Sequence, residues 1–318
     1  MPKYRKRFVS RNHSASPAEE SEYVGVSELA VITPSYAPDL ELFADLHRSV
    51  LRHTPEDTVH HVIVPPRDRG LFARFEGPRC RVWIEPDLLP RTYIPIPLSR
   101  LWLNVARPWP PVRGWVLQQS LKLAAAARVE ADAVLVADSD IVLVRPVRVR
   151  DFMVGERLRL HRIDHGVHSG MRRHLRWHEA ARQLLGRPHV PAPPLHDYVN
   201  SLTLWDPKAV RALQDRIETA TGRRWQDAFS SHLHISEFIL YGVFVDELLG
   251  APAASDTGIC HNYWDATPLS MADALAFADR LGSRAIGMMI SAKSGTTLEV
   301  RRAAIARCMD VARRESSR

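Results

Sequence analysis

The sequence predicts an α/β fold: a mainly parallel sheet flanked by helices, in a single domain. Three observations predict it. Short, β-branched apolar runs of the kind buried on both faces recur near residues 29–33, 59–64, 82–84 and 133–137. Helix-period segments lie between them, most clearly at 114–128. Strand and helix alternate over residues 29–140, the pattern of a sheet built from crossover units.

Each element has a local cause. Residues 1–23 are polar and Ser-rich without apolar period, so a flexible arm is expected, followed by one domain over 24–318 whose halves divide near 146. Leu29-Ala30-Val31-Ile32-Thr33 is a buried strand, and Pro34-Ser35-Tyr36 a turn. Pro38 suits a first helical turn, after which Phe43, Leu46 and Val50 recur on one face. Val59 to Val64 is a second strand, stopped by Pro65-Pro66, and Val82-Trp83-Ile84 a third. The proline-punctuated stretch 91–112 reads as a loop packed over a site. Residues 114–128 form a helix ending in an alanine run, and Ala133 to Ala137 a strand that runs into Asp138-Ser139-Asp140. Residues 155–178 are rich in Arg and His without clear period, and 187–194 form a loop. Tyr198 to Trp205 is strand-like, and Asp206-Pro207 caps the next helix. Ser236 to Leu249 is a helix apolar almost all round. Residues 285–290 are a short apolar segment, and Thr296-Thr297-Leu298-Glu299 is a capping box opening a last helix.

Composition narrows the function. The 318 residues are 45% hydrophobic and 25% charged, which excludes a disordered, fibrous or repeat protein. Charges interrupt every apolar stretch before the ~20 residues of a membrane span, although peripheral contact with a membrane stays open. MPKYRKRF is basic but no apolar region follows, so no secretory signal is expected. Cys80, Cys260 and Cys308 are far apart, which argues against a disulfide framework or zinc cluster and for a cytoplasmic location. The net charge of +7 suits polyanions or diphosphate-bearing small molecules, and the absence of an aromatic-interleaved basic stripe argues against nucleic acid.

Asp138 and Asp140 are the sharpest chemical signal. At i and i+2 of an extended chain they share a face, about 6–7 Å apart. Two carboxylates there can hold Mg²⁺ or Mn²⁺ together with substrate phosphates, and the ion would neutralise charge on a leaving diphosphate. Asp-Ser-Asp is equally good turn material. Gln119 and Lys122 lie side by side on one helix face. Glu237 opens an apolar helix, where burial would raise its pKa unless it is paired. Asp246 is a second, more structural choice. His174 and His178 share a helix face, but no third zinc ligand accompanies them.

VLVADSDIVLVRP, with AVITPSY upstream and GWVLQQSLKL between, resembles bacterial glycosyltransferases of the GT-A, Rossmann-like fold. The likeness is closest to their poorly characterised actinobacterial members, more distant to glycogenin-like and lipopolysaccharide sugar transferases, and covers roughly residues 29–300. It implies a hexosyltransferase-like enzyme. Such an enzyme moves sugar from a nucleotide-diphosphate donor, UDP-sugar before GDP-sugar, to the hydroxyl of a small-molecule or glycan acceptor. It further implies that Asp138, Ser139 and Asp140 hold donor and metal, with a late histidine, His261, as third ligand. Thr33, Pro34, Ser35 and Tyr36 would hold the nucleoside, and Gln119, Lys122 and Asn200 would line the donor. Lys293, with Ser291 and Ser294 nearby, would reach the diphosphate. Glu237 would act as base in an inverting enzyme or position the sugar in a retaining one. Leu202 departs from the glycine of the glycogenin-like group. The alternatives are a sugar nucleotidyltransferase, disfavoured because the first turn lacks glycine, and a non-catalytic nucleotide- or glycan-binding protein.

Overall fold

A computed structural model of the chain describes residues 27–97, 99, 101–250 and 253–316; the expected arm over 1–23 lies outside the described residues. Its principal strands are β1 (Ser27–Pro34), β2 (Val59–Val64), β3 (Cys80–Ile84), β4 (Tyr93–Pro95), β5 (Leu101–Asn104), β6 (Arg107–Arg113), β7 (Ala131–Ala137), β8 (Ile141–Leu143), β9 (Leu202–Trp205), β10 (Cys260–Tyr263) and β11 (Gly287–Ile290). The principal helices are α1 (Leu40–His53), α2 (Gly114–Arg128), α3 (Arg172–Leu184), α4 (Pro207–Thr221), α5 (Glu237–Val243), α6 (Met271–Asp279) and α7 (Leu298–Ser316).

The central sheet has the order β9-β7-β1-β2-β3. β1, β2, β3 and β7 are parallel, and β9 pairs antiparallel with β7. The apolar runs are continuous because both faces are covered. Ala30, Ile32, Val134 and Val136 face a core shared with Leu117, Leu121 and Leu123 of α2. Their alternates Leu29, Val31, Ala133 and Leu135 face a second core with Leu46 and Val50 of α1. A second sheet, β10-β11-β8, continues from the end of β7 and packs against α6 and α7. Helix ends follow local chemistry. Asp206 accepts from the Lys208 amide and Gly222 at φ 64° closes α4, while Ser236 caps α5 and Thr297 starts α7.

Three expectations are corrected. The stretch 91–112 is an antiparallel sheet, β4-β5-β6, because prolines 108, 110 and 111 fall on its edge strand, where no ladder donor is missed. The strand expected over 198–205 begins only at Leu202, because the Asn200 side chain accepts from the Ser201 amide and forms a local turn instead of a ladder. The helix expected over 236–249 is α5 followed by a wider π turn, Phe244–Leu248. Gly242 in α5 admits the Tyr198 ring: a Cβ there would lie 2.1 Å from the ring.

A line of buried histidines runs beneath β1. His47 Nδ1 lies 3.1 Å from His60 Nδ1, and His60 Nε2 lies 2.9 Å from Thr33 Oγ1. Burial holds His60 well below its ordinary value, and burial with Arg79 and Arg81 respectively lowers His47 and His61 to about 4. The folded chain therefore refuses protons that the unfolded chain accepts below 6.5. Stability is full above 6.5 and declines as pH falls towards about 4. Urea midpoints measured across that window should fall steadily with acidification, and a flat profile would show that these imidazoles titrate normally. Gly242→Ala should cost about 1–3 kcal/mol, the usual range for overpacking, read as a lower urea midpoint with an unchanged slope.

Candidate functional site

β1 lies between β2 and β7, so the chain leaves it in one direction and returns on the other side. The carboxyl ends of β1 and β7 thus flank the topological switch point, where open α/β sheets bind ligands. Ser139 joins the two ends. Its hydroxyl donates to Pro34 O at 3.2 Å and lies 3.0 Å from Ser35 Oγ, and it is buried. β7 stops at Ala137, and Asp138-Ser139-Asp140 form a turn closed by the Ile141 amide donating to Asp138 O at 3.1 Å, which corrects the extended chain expected there; with Ser139 buried, Asp138 and Asp140 stay partly exposed at the sheet end.

Behind them lies a buried ion cluster. Lys122 Nζ of α2 sits 2.9 Å from Asp138 Oδ1 and 3.2 Å from Glu237 Oε1 of α5. Lys122 and Glu237 are 4% and 3% exposed, so each needs the other. Gln119, one turn before Lys122, accepts from the Glu237 amide at 2.9 Å and donates to Trp115 O at 3.2 Å. Burial alone would lower the Lys122 pKa; Asp138 and Glu237 outweigh it and hold the ammonium above the ordinary lysine range. Burial raises Glu237, with Lys122 opposing. Asp138 Oδ1 is buried against the ammonium, which takes up that oxygen.

Asp140 reaches the second sheet. Its Oδ2 accepts from the Ala292 amide at 2.8 Å, in the turn that carries exposed Lys293, and buried Arg301 of α7 donates to the Asp140 carbonyl at 3.1 Å. Burial, then the charge of Asp138, raises the Asp140 pKa. Counting Asp138, Asp140 and Glu237 against Lys122 and Arg301, the ionised cluster keeps one net negative charge. Asp138 meets Lys122 through Oδ1 and Asp140 meets the Ala292 amide through Oδ2; the chemistry of two partly exposed carboxylates fits a divalent cation completed by a ligand's phosphates.

Several expected residues stand elsewhere. Thr33 is fully buried and bonded to His60, so its side chain faces the core. Gln119, Lys122 and Glu237 are committed to one another, because a buried charge or amide must find its partners inside. His261 does not join the aspartates: its Nε2 meets Phe277 O at 2.8 Å and its ring stacks on Phe277. Strand alternation turns the next residue, Asn262, the other way, where its Oδ1 accepts from Ser201 Oγ at 2.6 Å. Among the described residues no three His, Cys, Asp or Glu side chains converge as a ligand set. Asn200 and Ser201 are buried just before β9, whose Leu202 pairs with Ala137 beside Asp138. Pro34, Ser35 and half-buried Tyr36 line the β1 end. Asp246 binds Tyr198 and Arg162, and His178 faces the His196 carbonyl. Asn262 and Arg301 escaped the sequence reading. Asn262 was one alternation step from His261, whereas Arg301 looked like any surface arginine of an amphipathic helix.

A family model, described as a family of unknown function (DUF6492), matches residues 26–281, and the chain belongs to that family. No curated protein matches the chain. Solved structures similar to it include mouse xyloside xylosyltransferase 1 in its apo form, 13% identical over 84% of this chain and 98% of that one, with a TM-score of 0.39. The galactosyltransferase LgtC in complex with donor and acceptor sugar analogs is 12% identical over 90% of this chain and 95% of that one, with a TM-score of 0.42.

Lys122→Met should leave Glu237 buried without its cation and cost about 3–5 kcal/mol of stability. Adding Glu237→Gln should recover part of the loss. Equal unfolding midpoints for wild type and the single variant would mean that the cluster does not hold the fold.

Proposed function

We propose that the protein is a glycosyltransferase that moves a sugar from a nucleotide-diphosphate donor, UDP-sugar before GDP-sugar, to an acceptor hydroxyl with the help of Mn²⁺ or Mg²⁺. One observation carries the reading: a net-negative aspartate pair faces outward at the switch point, held there by Ser139 and Lys122. When bound, the cation would offset the charge developing on the departing diphosphate. The chain's own residues provide the frame. Asp138 and Asp140 are the ligands to that ion, Lys122 fixes Asp138, and the Ala292–Ser294 turn fixes Asp140 while presenting Lys293 to the phosphates. Tyr36 and the end of β1 border the nucleoside side of the crevice. Acceptor attack forms a bond from its oxygen to the anomeric carbon and breaks the bond from that carbon to the diphosphate, and the hydroxyl proton passes to the departing diphosphate oxygen. Glu237, 3% exposed and paired, is a positioning residue that acts through Lys122.

The nucleotidyltransferase alternative needs free backbone amides to cradle a triphosphate. At the end of β1 the Ser35 amide donates to Ile63 O and the Ala37 amide to Asp68, which weighs against such a cradle.

UDP should raise the melting temperature only when Mn²⁺ or Mg²⁺ is present; an equal shift without metal would overturn the shared site. Asp140→Asn should abolish donor turnover without lowering the melting temperature, and full turnover at limiting Mn²⁺ would remove Asp140 from the metal site.

A further inference from the structure

A cavity of about 410 Å³ opens beside the first turn of α2, lined by Arg113, Arg172, Arg173, Arg176, Trp115 and Leu233, with His234 at its edge and no acidic side chain. Several arginines elsewhere pair with carboxylates, among them Arg162 with Asp246, Arg182 with Glu247, Arg302 with Asp45 and Arg307 with Asp279, and others, such as Arg79 and Arg216, are taken up by backbone carbonyls. Among the described residues none of the four cavity guanidiniums meets a carboxylate. Four like charges around one hollow repel one another, and an anion is the ligand that relieves them.

The cavity is also organised. Arg173 lies 4.8 Å from the Trp115 ring centre and 4.9 Å from that of Trp177, and the two indoles stack at 5.8 Å. Lying across two adjoining indoles in this way holds a guanidinium in place before any ligand arrives. Arg172, Arg173 and Arg176 sit in the first turns of the 13-residue α3, whose N-terminus no side chain caps, so the helix dipole adds to their charge. Trp115 and Leu233 stay 38% and 41% exposed and give the hollow an apolar wall. Guanidinium forks match the tetrahedral oxygens of a phosphate, and an exposed indole matches the C–H face of a sugar ring.

The cavity communicates with the aspartate site through one residue. Gln119 donates to the carbonyl of Trp115 and accepts from the amide of Glu237, and Leu233 and His234 stand two to four residues before Ser236 and Glu237. The diphosphate end of the donor belongs with the cation at Asp138 and Asp140, which leaves the arginines for a second substrate. We infer that this cavity is the acceptor subsite and that it takes a phosphorylated sugar. Its role as an acceptor subsite rests on the glycosyl-transfer reading; its affinity for a sugar phosphate does not.

Titration calorimetry with glucose 6-phosphate, glucose, glucuronate and inorganic phosphate tests it on the wild type and on the Arg172→Gln/Arg176→Gln double variant. The expected result is binding of the sugar phosphate, weaker binding of inorganic phosphate, and none of glucose. The double variant should lose about tenfold or more in affinity, with an unchanged melting temperature and an unchanged UDP–Mn²⁺ shift. Glucose 6-phosphate should bind equally well with UDP and Mn²⁺ already in place. Equal affinity in the double variant, a glucuronate preference, inorganic phosphate binding as tightly as the sugar phosphate, or competition with UDP would each overturn the assignment. Sugar-phosphate binding without any UDP–Mn²⁺ shift would instead sink the glycosyl-transfer reading and, with it, the acceptor role. A UDP–Mn²⁺ shift without sugar-phosphate binding would sink the cavity assignment alone.

Discussion

The Lys122 ammonium holds together three parts of the chain that are remote in sequence: α2, the end of β7, and the start of α5. An ion pair this deep is a poor source of net stability, since both charges give up water to form it. Its effect is on geometry. Once Lys122 and Glu237 are inside, neither can shift without leaving a bare charge, so Asp138 is held at one place relative to both helices. The Gln119 amide, between the Trp115 carbonyl and the Glu237 amide, removes the remaining freedom.

That rigidity matters because the aspartates face outward. Ser139 is the pivot: its hydroxyl ties the turn after β7 to the end of β1, and the Ile141 amide, donating to Asp138 O, closes that turn with an aspartate on either side of the buried serine. Asp140 is steadied from a different direction, by the turn at Ala292 and by Arg301 on the last helix. The two carboxylates are therefore supported by separate layers of the protein, one by the main sheet and α2, the other by the second sheet and α7.

Charge is sorted along α2. Near Lys122 the surroundings are rich in carboxylate and keep a net negative charge; near Trp115, two turns earlier, they are all guanidinium and aromatic ring. A cation-bearing group and an anion-bearing group would be drawn to places two turns apart on one helix. Gln119 lies between, touching both, which gives the pair of sites a common frame.

Much of the fold was legible from the sequence, because strands buried on both faces must be continuously apolar and because Asp206, Ser236 and Gly222 mark helix ends by local chemistry. The aspartate pair was legible as chemistry at a strand end, but the chain there is a turn and not the extended segment expected, because the Ile141 amide bonds back to Asp138 O. Other features were not. Nothing near Pro108, Pro110 and Pro111 reveals that they sit on a sheet edge, and nothing near His261 reveals which face of its strand meets Phe277. Gln119, Lys122 and Glu237 read as polar groups available to a ligand; only packing made them partners of one another. Local backbone preference and burial pattern act over a few residues and are written in the chain, so the sequence alone determined the parallel strands of the central sheet, the helices with clear caps, and the nearness of Asp138 and Asp140. Which buried charge meets which, and which arginines among the described residues meet no carboxylate, depends on residues about a hundred positions apart arriving at the same place, and that only the tertiary structure decided.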